Sequence, residues 1–254
     1  RIPIYVDGEE VFETPADGVC DDAGFKGACD VGSTIRRQEG QTAAGEPLPD
    51  VVWVTFCRAV DLTWEPGGLG SVQMIGHDSV NGATCFFESP DAIGSQAQTT
   101  WVSLNSEGVL DGELPGPGHA DYNNAWIPPP APCSECHHND PFVHNPWIDG
   151  AKLPEDPTQP VLPVLATTTS PYWVMGGPYW DLRTPHIEGN TCVGCHRIGM
   201  GTIDIFEFLV PYGGGVIVSE FMPPYAPGTH SEDLEALRSC WEQGPDNTPN
   251  CEWV

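Results

Sequence analysis

Two short segments carry the most specific chemistry in the chain: Cys133-Ser134-Glu135-Cys136-His137 and Cys192-Val193-Gly194-Cys195-His196. In a Cys-x-x-Cys-His segment the two thiols add to the two vinyl groups of a haem. The next residue, held just past the second thioether, then presents its imidazole to one face of the iron. A zinc or iron–sulfur site built from Cys133, Cys136, Cys192 and Cys195 is the rival, since paired Cys-x-x-Cys segments are also metal-site spacing. Only 8 of the 254 residues are His, so a His directly after both pairs is poorly explained by accident. The spacing predicts two covalently attached c-type haems, with those four cysteines as attachment points and His137 and His196 as proximal ligands.

The opposite faces of the two irons need ligands of their own. Met200, four residues after His196, cannot travel around a porphyrin edge at roughly 3.4 Å per residue. His144 follows His137 by seven residues and His186 precedes Cys192 by six, so each serves the other haem more comfortably than its own. An exchange is the economical arrangement: His137 and His186 on the first iron, His196 and His144 on the second. Prolines stiffen both neighbourhoods, in Asp140-Pro141-Phe142-Val143-His144-Asn145-Pro146 and Thr184-Pro185-His186. Met222 in Phe221-Met222-Pro223-Pro224 is an alternative distal ligand, far enough from His196 to pass the haem edge. His138 is another, because in extended backbone it points away from His137 and toward a neighbouring iron. His77, His119 and His230 lie in loop-like stretches and are expected at the surface. Met74 and Met175 complete the inventory of candidates.

Charge narrows the partners. The 36 acidic residues against 9 basic ones give a formal −27, and haem propionates would deepen the deficit, so nucleic acid and anionic lipid are poor partners. A redox partner protein, an extracellular acceptor, or copies of the chain itself once its charge is neutralised are the partners that fit. No run of about 18 apolar residues offers a membrane span. The acidic loop from Asp17 through Asp21 and Asp22 to Asp30 is a candidate calcium wrap, although its spacing does not match an EF-hand. Haem attachment and disulfides both belong outside the cytoplasm, so a periplasmic or secreted location is expected, with a leader removed before Arg1. The other six cysteines are expected to pair at short range: Cys20 with Cys29, Cys57 with Cys85, and Cys240 with Cys251.

The elements that must position this chemistry fall into two parts. Residues 1–125 hold short runs rich in β-branched and aromatic residues at 51–57, 72–75, 83–87 and 99–104, with Asn81-Gly82 as a hairpin turn signal. They predict a disulfide-bonded antiparallel sandwich or barrel that serves docking or subunit contacts. Residues 126–254 predict a loop-rich dihaem domain, in keeping with 29 glycines and 27 prolines along the chain. Its clearest helix runs from Ser231, a candidate cap, to about Trp241, with Leu234, Leu237 and Trp241 on one face. The run 202–210 fits a strand or a buried helix. The fold class is mainly β and irregular.

The two Cys-x-x-Cys-His segments and their flanks resemble secreted dihaem and multihaem c-type cytochromes; residues 1–125 resemble no family. The resemblance implies electron transfer between closely spaced, low-spin irons. The chain then reads as an extracytoplasmic electron-transfer protein with no substrate chemistry of its own, either a diffusible carrier or, from its surplus histidines and a β domain free for subunit contacts, a homopolymer that conducts along a filament. Dihaem peroxidases and sulfur-compound oxidases also carry two such segments, which keeps an enzyme with one open iron position as the alternative.

Overall fold

The computed structural model describes all residues except 25–28, 30, 60–68, 90–101, 105–109, 113, 128–132, 134–136, 166, 168, 176–182, 196 and 200–228. A hairpin of β1 (Ile4–Val6) and β2 (Glu9–Val11) opens the chain. A meander of β3 (Thr34–Gln41), β4 (Pro47–Ala59), β5 (Leu69–Asp78) and β6 (Ala83–Glu88) follows, then the small pair β7 (Val102–Leu104) and β8 (Leu110–Gly112). Beyond them come two single-turn helices, α1 (Tyr122–Ala125) and α2 (Pro146–Asp149), the pair β9 (Lys152–Leu153) and β10 (Asp156–Pro160), and β11 (Trp173–Val174). The chain ends with β12 (Pro185–Ile187), a 3-10 turn at Cys192–Gly194, α3 (Ser231–Gln243) and β13 (Cys251–Trp253).

The main sheet has the order β11-β6-β5-β4-β3, antiparallel except where β11 runs parallel to β6. The runs at 51–57, 72–75 and 83–87 lie within β4, β5 and β6; of the run at 99–104 only 102–104 is described, in β7, outside this sheet. The described residues form neither a sandwich nor a barrel. The second layer combines the N-terminal segment around β1 with irregular chain from the other half of the sequence. On one sheet face Val54, Ile75 and Phe86 form a row beside a row of Val52, His77 and Thr84. That face is covered by a cluster containing Ile2, Ile4, Phe142, Trp147, Val161 and Leu162. The Phe56 and Trp147 rings meet edge to face at 5.9 Å. Among the described residues, this core therefore draws on both sides of position 125. On the opposite face Trp53, Phe87 and Trp126 form an aromatic series with centroids 6.1 and 5.2 Å apart.

Two of the three expected disulfides are present, Cys20–Cys29 and Cys240–Cys251. The third is not: Cys57 and Cys85 are free thiols. Sequence proximity suggested that their strands pair, but β5 lies between them, with Cys57 opposite Val72 and Cys85 opposite Gly76. Two strand spacings of about 4.8 Å already exceed the roughly 7 Å that a disulfide tolerates between Cα atoms. Burial instead pushes the Cys57 thiol up to about 11, against a hydrogen bond with Thr34 that lowers it.

The Asn81-Gly82 turn joins β5 to β6 as its residue types predict. Gly82 has φ +81°, and a Cβ there would lie 2.3 Å from the Pro171 carbonyl carbon, so the turn also seats the chain that leads into β11. Gly82→Ala is expected to cost at least about 2 kcal/mol in urea unfolding, from left-handed backbone and overpacking together. Helix α3 runs two residues further than its apolar pattern suggests, and its N-terminal flanking residue is His230, not Ser231. It buries Leu237, Cys240 and Trp241. The run 202–210 lies outside the described residues.

Candidate functional site

Of the first Cys-x-x-Cys-His segment, Cys133 and His137 are described. The His137 amide donates to the Cys133 carbonyl at 3.0 Å. The His137 ring lies 5.1 Å from the Phe86 ring of β6, and the Tyr172 hydroxyl donates to its carbonyl. Cys136 is not among the described residues.

The second segment starts from an Asx-turn: Asn190 Oδ1 accepts from the Cys192 amide at 3.0 Å. The Asn190 side chain donates to the Asp233 carbonyl at 2.8 Å, and the Thr191 hydroxyl donates to the Asp233 carboxylate, which fastens the segment to the first turn of α3. Cys192 and Val193 then pack against Ile198, Leu237 and Trp241. His196 lies outside the described residues.

The two segments meet just beyond their histidines. Asp140 Oδ1 accepts from Arg197 Nε at 2.9 Å, and its other oxygen accepts from the Arg197 amide. The side chains are only 9% and 11% exposed. Arg197 Nη1 also donates to the Ser170 carbonyl at 2.6 Å, with the guanidinium 5.9 Å from the Tyr172 ring centroid. A Cβ on Gly199 would fall 1.8 Å from Asn139 Oδ1 and 2.5 Å from His138 Nδ1, so residues 138–139 and 199 touch, and only glycine fits. Asn139 Nδ2 donates to the Arg183 carbonyl at 3.0 Å and to the Thr184 hydroxyl, bringing the lead into His186 alongside the first segment.

The cysteines outside the segments split between disulfides and the sheet, while Cys133, Cys192 and Cys195 are free thiols. Burial raises all three pKa values, helped by Glu88 at Cys133, Asp233 at Cys192 and Asp149 at Cys195; Cys192 reaches about 11. Among the described residues no group of three or more His, Cys, Asp and Glu gathers to hold a bare metal ion. In the acidic loop, Asp21 accepts from the amides of Asp7 and Gly8 at 2.9 and 2.8 Å, and Asp30 lies outside the described residues.

The candidate distal ligands are placed unequally. His186 sits in β12 opposite Glu252 of β13. His138 is half-buried beside Gly199, and Met222 and Met200 are not described. His144 lies within electrostatic range of the second segment through Asp149, whose charge also reaches Cys195. Both of its nitrogens are hydrogen-bonded, Nδ1 to Asp149 Oδ1 at 2.8 Å and Nε2 to the Pro163 carbonyl at 3.1 Å. Burial lowers its pKa, but the Asp149 hydrogen bond and charge, with the Pro163 carbonyl, outweigh that and raise it. A raised folded-state pKa contributes stability that is full below the unfolded value of about 6.5 and lost as pH climbs through the folded value. His144→Gln is therefore expected to cost about 1 kcal/mol at pH 5 and less at pH 9, measured by urea unfolding at the two pH values.

Two of the three histidines expected at the surface are buried: His77 is 2% exposed and His230 6%. His119 is exposed as expected. The signal for His77 was the alternation of β5, which puts it in the row beside Ile75. Tyr172, 5% exposed, carried no signal of its own. Comparison with known proteins finds no family model, no curated relative and no solved structure that matches this chain.

Proposed function

We propose that this protein is an extracytoplasmic electron-transfer protein that holds two c-type haems, one on Cys133 and Cys136 with His137 as proximal ligand, the other on Cys192 and Cys195 with His196. The observation that carries the proposal is the junction between the segments. The residues that follow the two histidines are locked together by the buried Asp140–Arg197 pair and by the Gly199 contact. A chain that presents two haem-attachment segments with their ends bonded to each other has reason to keep the two cofactors close. Bound there, the haems would supply one-electron redox chemistry, with the protein setting potential through axial ligands and burial.

The chain's own residues provide the frame. The Tyr172 hydroxyl and the Phe86 ring hold His137 in place, while Asn190, Thr191 and Asp233 fix the start of the second segment. The ligand exchange is supported by placement: the arm bearing His186 lies along the first segment through Asn139, and the arm bearing His144 lies near Cys195. His144 must give up its bond to Pro163 to bind iron through Nε2. His138 and Met222 stand as alternatives. No helix among the described residues is long and apolar enough to cross a membrane, and the disulfides suit an oxidising compartment.

The test is the pyridine haemochrome of the denatured native protein, which should give two haems per chain that survive denaturation, with low-spin bands before denaturation. Zero haems would overturn the proposal. Two haems with carbon monoxide binding at one iron would move it to the enzyme alternative.

A further inference from the structure

His77 is the most completely buried histidine of the sheet, and its two ring nitrogens are treated very differently. Nδ1 lies 2.8 Å from the Thr84 hydroxyl oxygen. That hydroxyl spends its single proton on the Gly82 carbonyl, 3.1 Å away, and a carbonyl cannot return it. Toward His77, then, Thr84 Oγ1 accepts, and Nδ1 carries the hydrogen. Nε2 is buried with no hydrogen-bond partner among the described residues.

An unpartnered buried nitrogen is destabilising through its lost hydration, and an apolar side chain in the row beside Ile75 would avoid that cost. Metal-binding imidazoles show this same division: one N–H is anchored to a fixed acceptor, which sets the tautomer and ring orientation, and the other nitrogen keeps its lone pair for the metal. Burial and the charge of Arg197 lower the His77 pKa, against Asp78 and Asp140, and so favour the neutral ring that a ligand requires. The surroundings are those of the candidate site. Phe142, four residues before the end of the Pro146-flanked His144 arm, packs edge to face on His77 at 5.8 Å. Thr84 and Phe86 project from the same face of β6, and Phe86 carries the His137 ring. Arg197, which follows His196 directly, and Asp140, three residues after His137, are two of the three charges that act on it, with Asp78 the third.

We propose that His77 is an axial ligand of one of the two haem irons, in the role that spacing alone gives to His144. The inference rests on the dihaem reading. It makes the sheet of residues 34–88 part of the haem site, with Thr84 as the positioning residue that orients the ligand.

The experiment compares the full-length holoprotein with its His77→Gln and Thr84→Val variants by pyridine haemochrome, near-infrared magnetic circular dichroism and electron paramagnetic resonance. His77→Gln should retain two haems per chain, since attachment depends on the cysteines, and lose half of the low-spin signal, which added imidazole should restore. Thr84→Val should keep both irons low-spin and shift the resonance of one. Two low-spin irons with native spectra in His77→Gln would overturn the inference and leave the dihaem reading intact, whereas an absence of haem in the native protein would sink both. If His77→Gln fails to fold, Thr84→Val decides alone: native resonances for both irons in that variant overturn the ligand role.

Discussion

Asp140→Ala is expected to destabilise the protein by about 3–5 kcal/mol, the usual cost of removing one partner from a buried ion pair. The carboxylate receives both the Arg197 Nε–H and the Arg197 amide, so the substitution takes a charged acceptor from the guanidinium and from a backbone donor together. Arg197 keeps its bond to the Ser170 carbonyl, a neutral acceptor that does not replace the carboxylate. At roughly 2–4 °C per kcal/mol for a chain of this size, the melting temperature should fall by about 10 °C. The double variant Asp140→Leu/Arg197→Met should regain most of the loss, because the desolvation of both charges is then avoided. Urea unfolding of the two variants checks this, and a single-variant loss below about 1 kcal/mol would show that the pair is solvated and does not hold the two segments together.

The parts of this fold that depend on local pattern were legible in the sequence. The β-branched and aromatic run Val51–Cys57 and the Asn-Gly turn gave β4 and the β5–β6 hairpin, and Leu234, Leu237 and Trp241 gave α3. What was not legible depends on contacts between distant residues. Cys57 and Cys85 read as partners because nothing local shows that β5 comes between them. His77 read as a loop residue beside Gly76 and Asp78, although its burial follows from Phe142 lying across the sheet 65 positions later. The same holds for the candidate site. Residue types and spacing mark the two Cys-x-x-Cys-His segments, but the Asp140–Arg197 junction spans 57 positions and no motif announces it. A boundary near residue 125 was suggested by composition, yet the largest core is built from both sides of it, because a sheet face rich in Val, Ile and Phe needs cover that its own half of the chain leaves to Phe142, Trp147 and Leu162.

Replacing Cys192 and Cys195 together with Ala is expected to lower the haem content from two per chain to one, since without thioether bonds a haem at this segment would hold only through its axial ligands. Denaturation would then release any noncovalently held haem, and the haemochrome of the washed, denatured chain should fall to half. The variant should also lose about 1 kcal/mol of packing, because the Cys192 side chain lies against the cluster of Ile198, Leu237 and Trp241. The control is Cys85→Ala, which removes another free thiol, one outside both segments, and should leave both haems bound. Equal loss in both variants would mean that haem content tracks general folding and not the Cys-x-x-Cys-His chemistry. Retention of two haems after the double substitution would place the second attachment point elsewhere in the chain. A fall to one haem, with the first segment intact and its Asp140–Arg197 junction preserved, would tie each cofactor to its own pair of thiols.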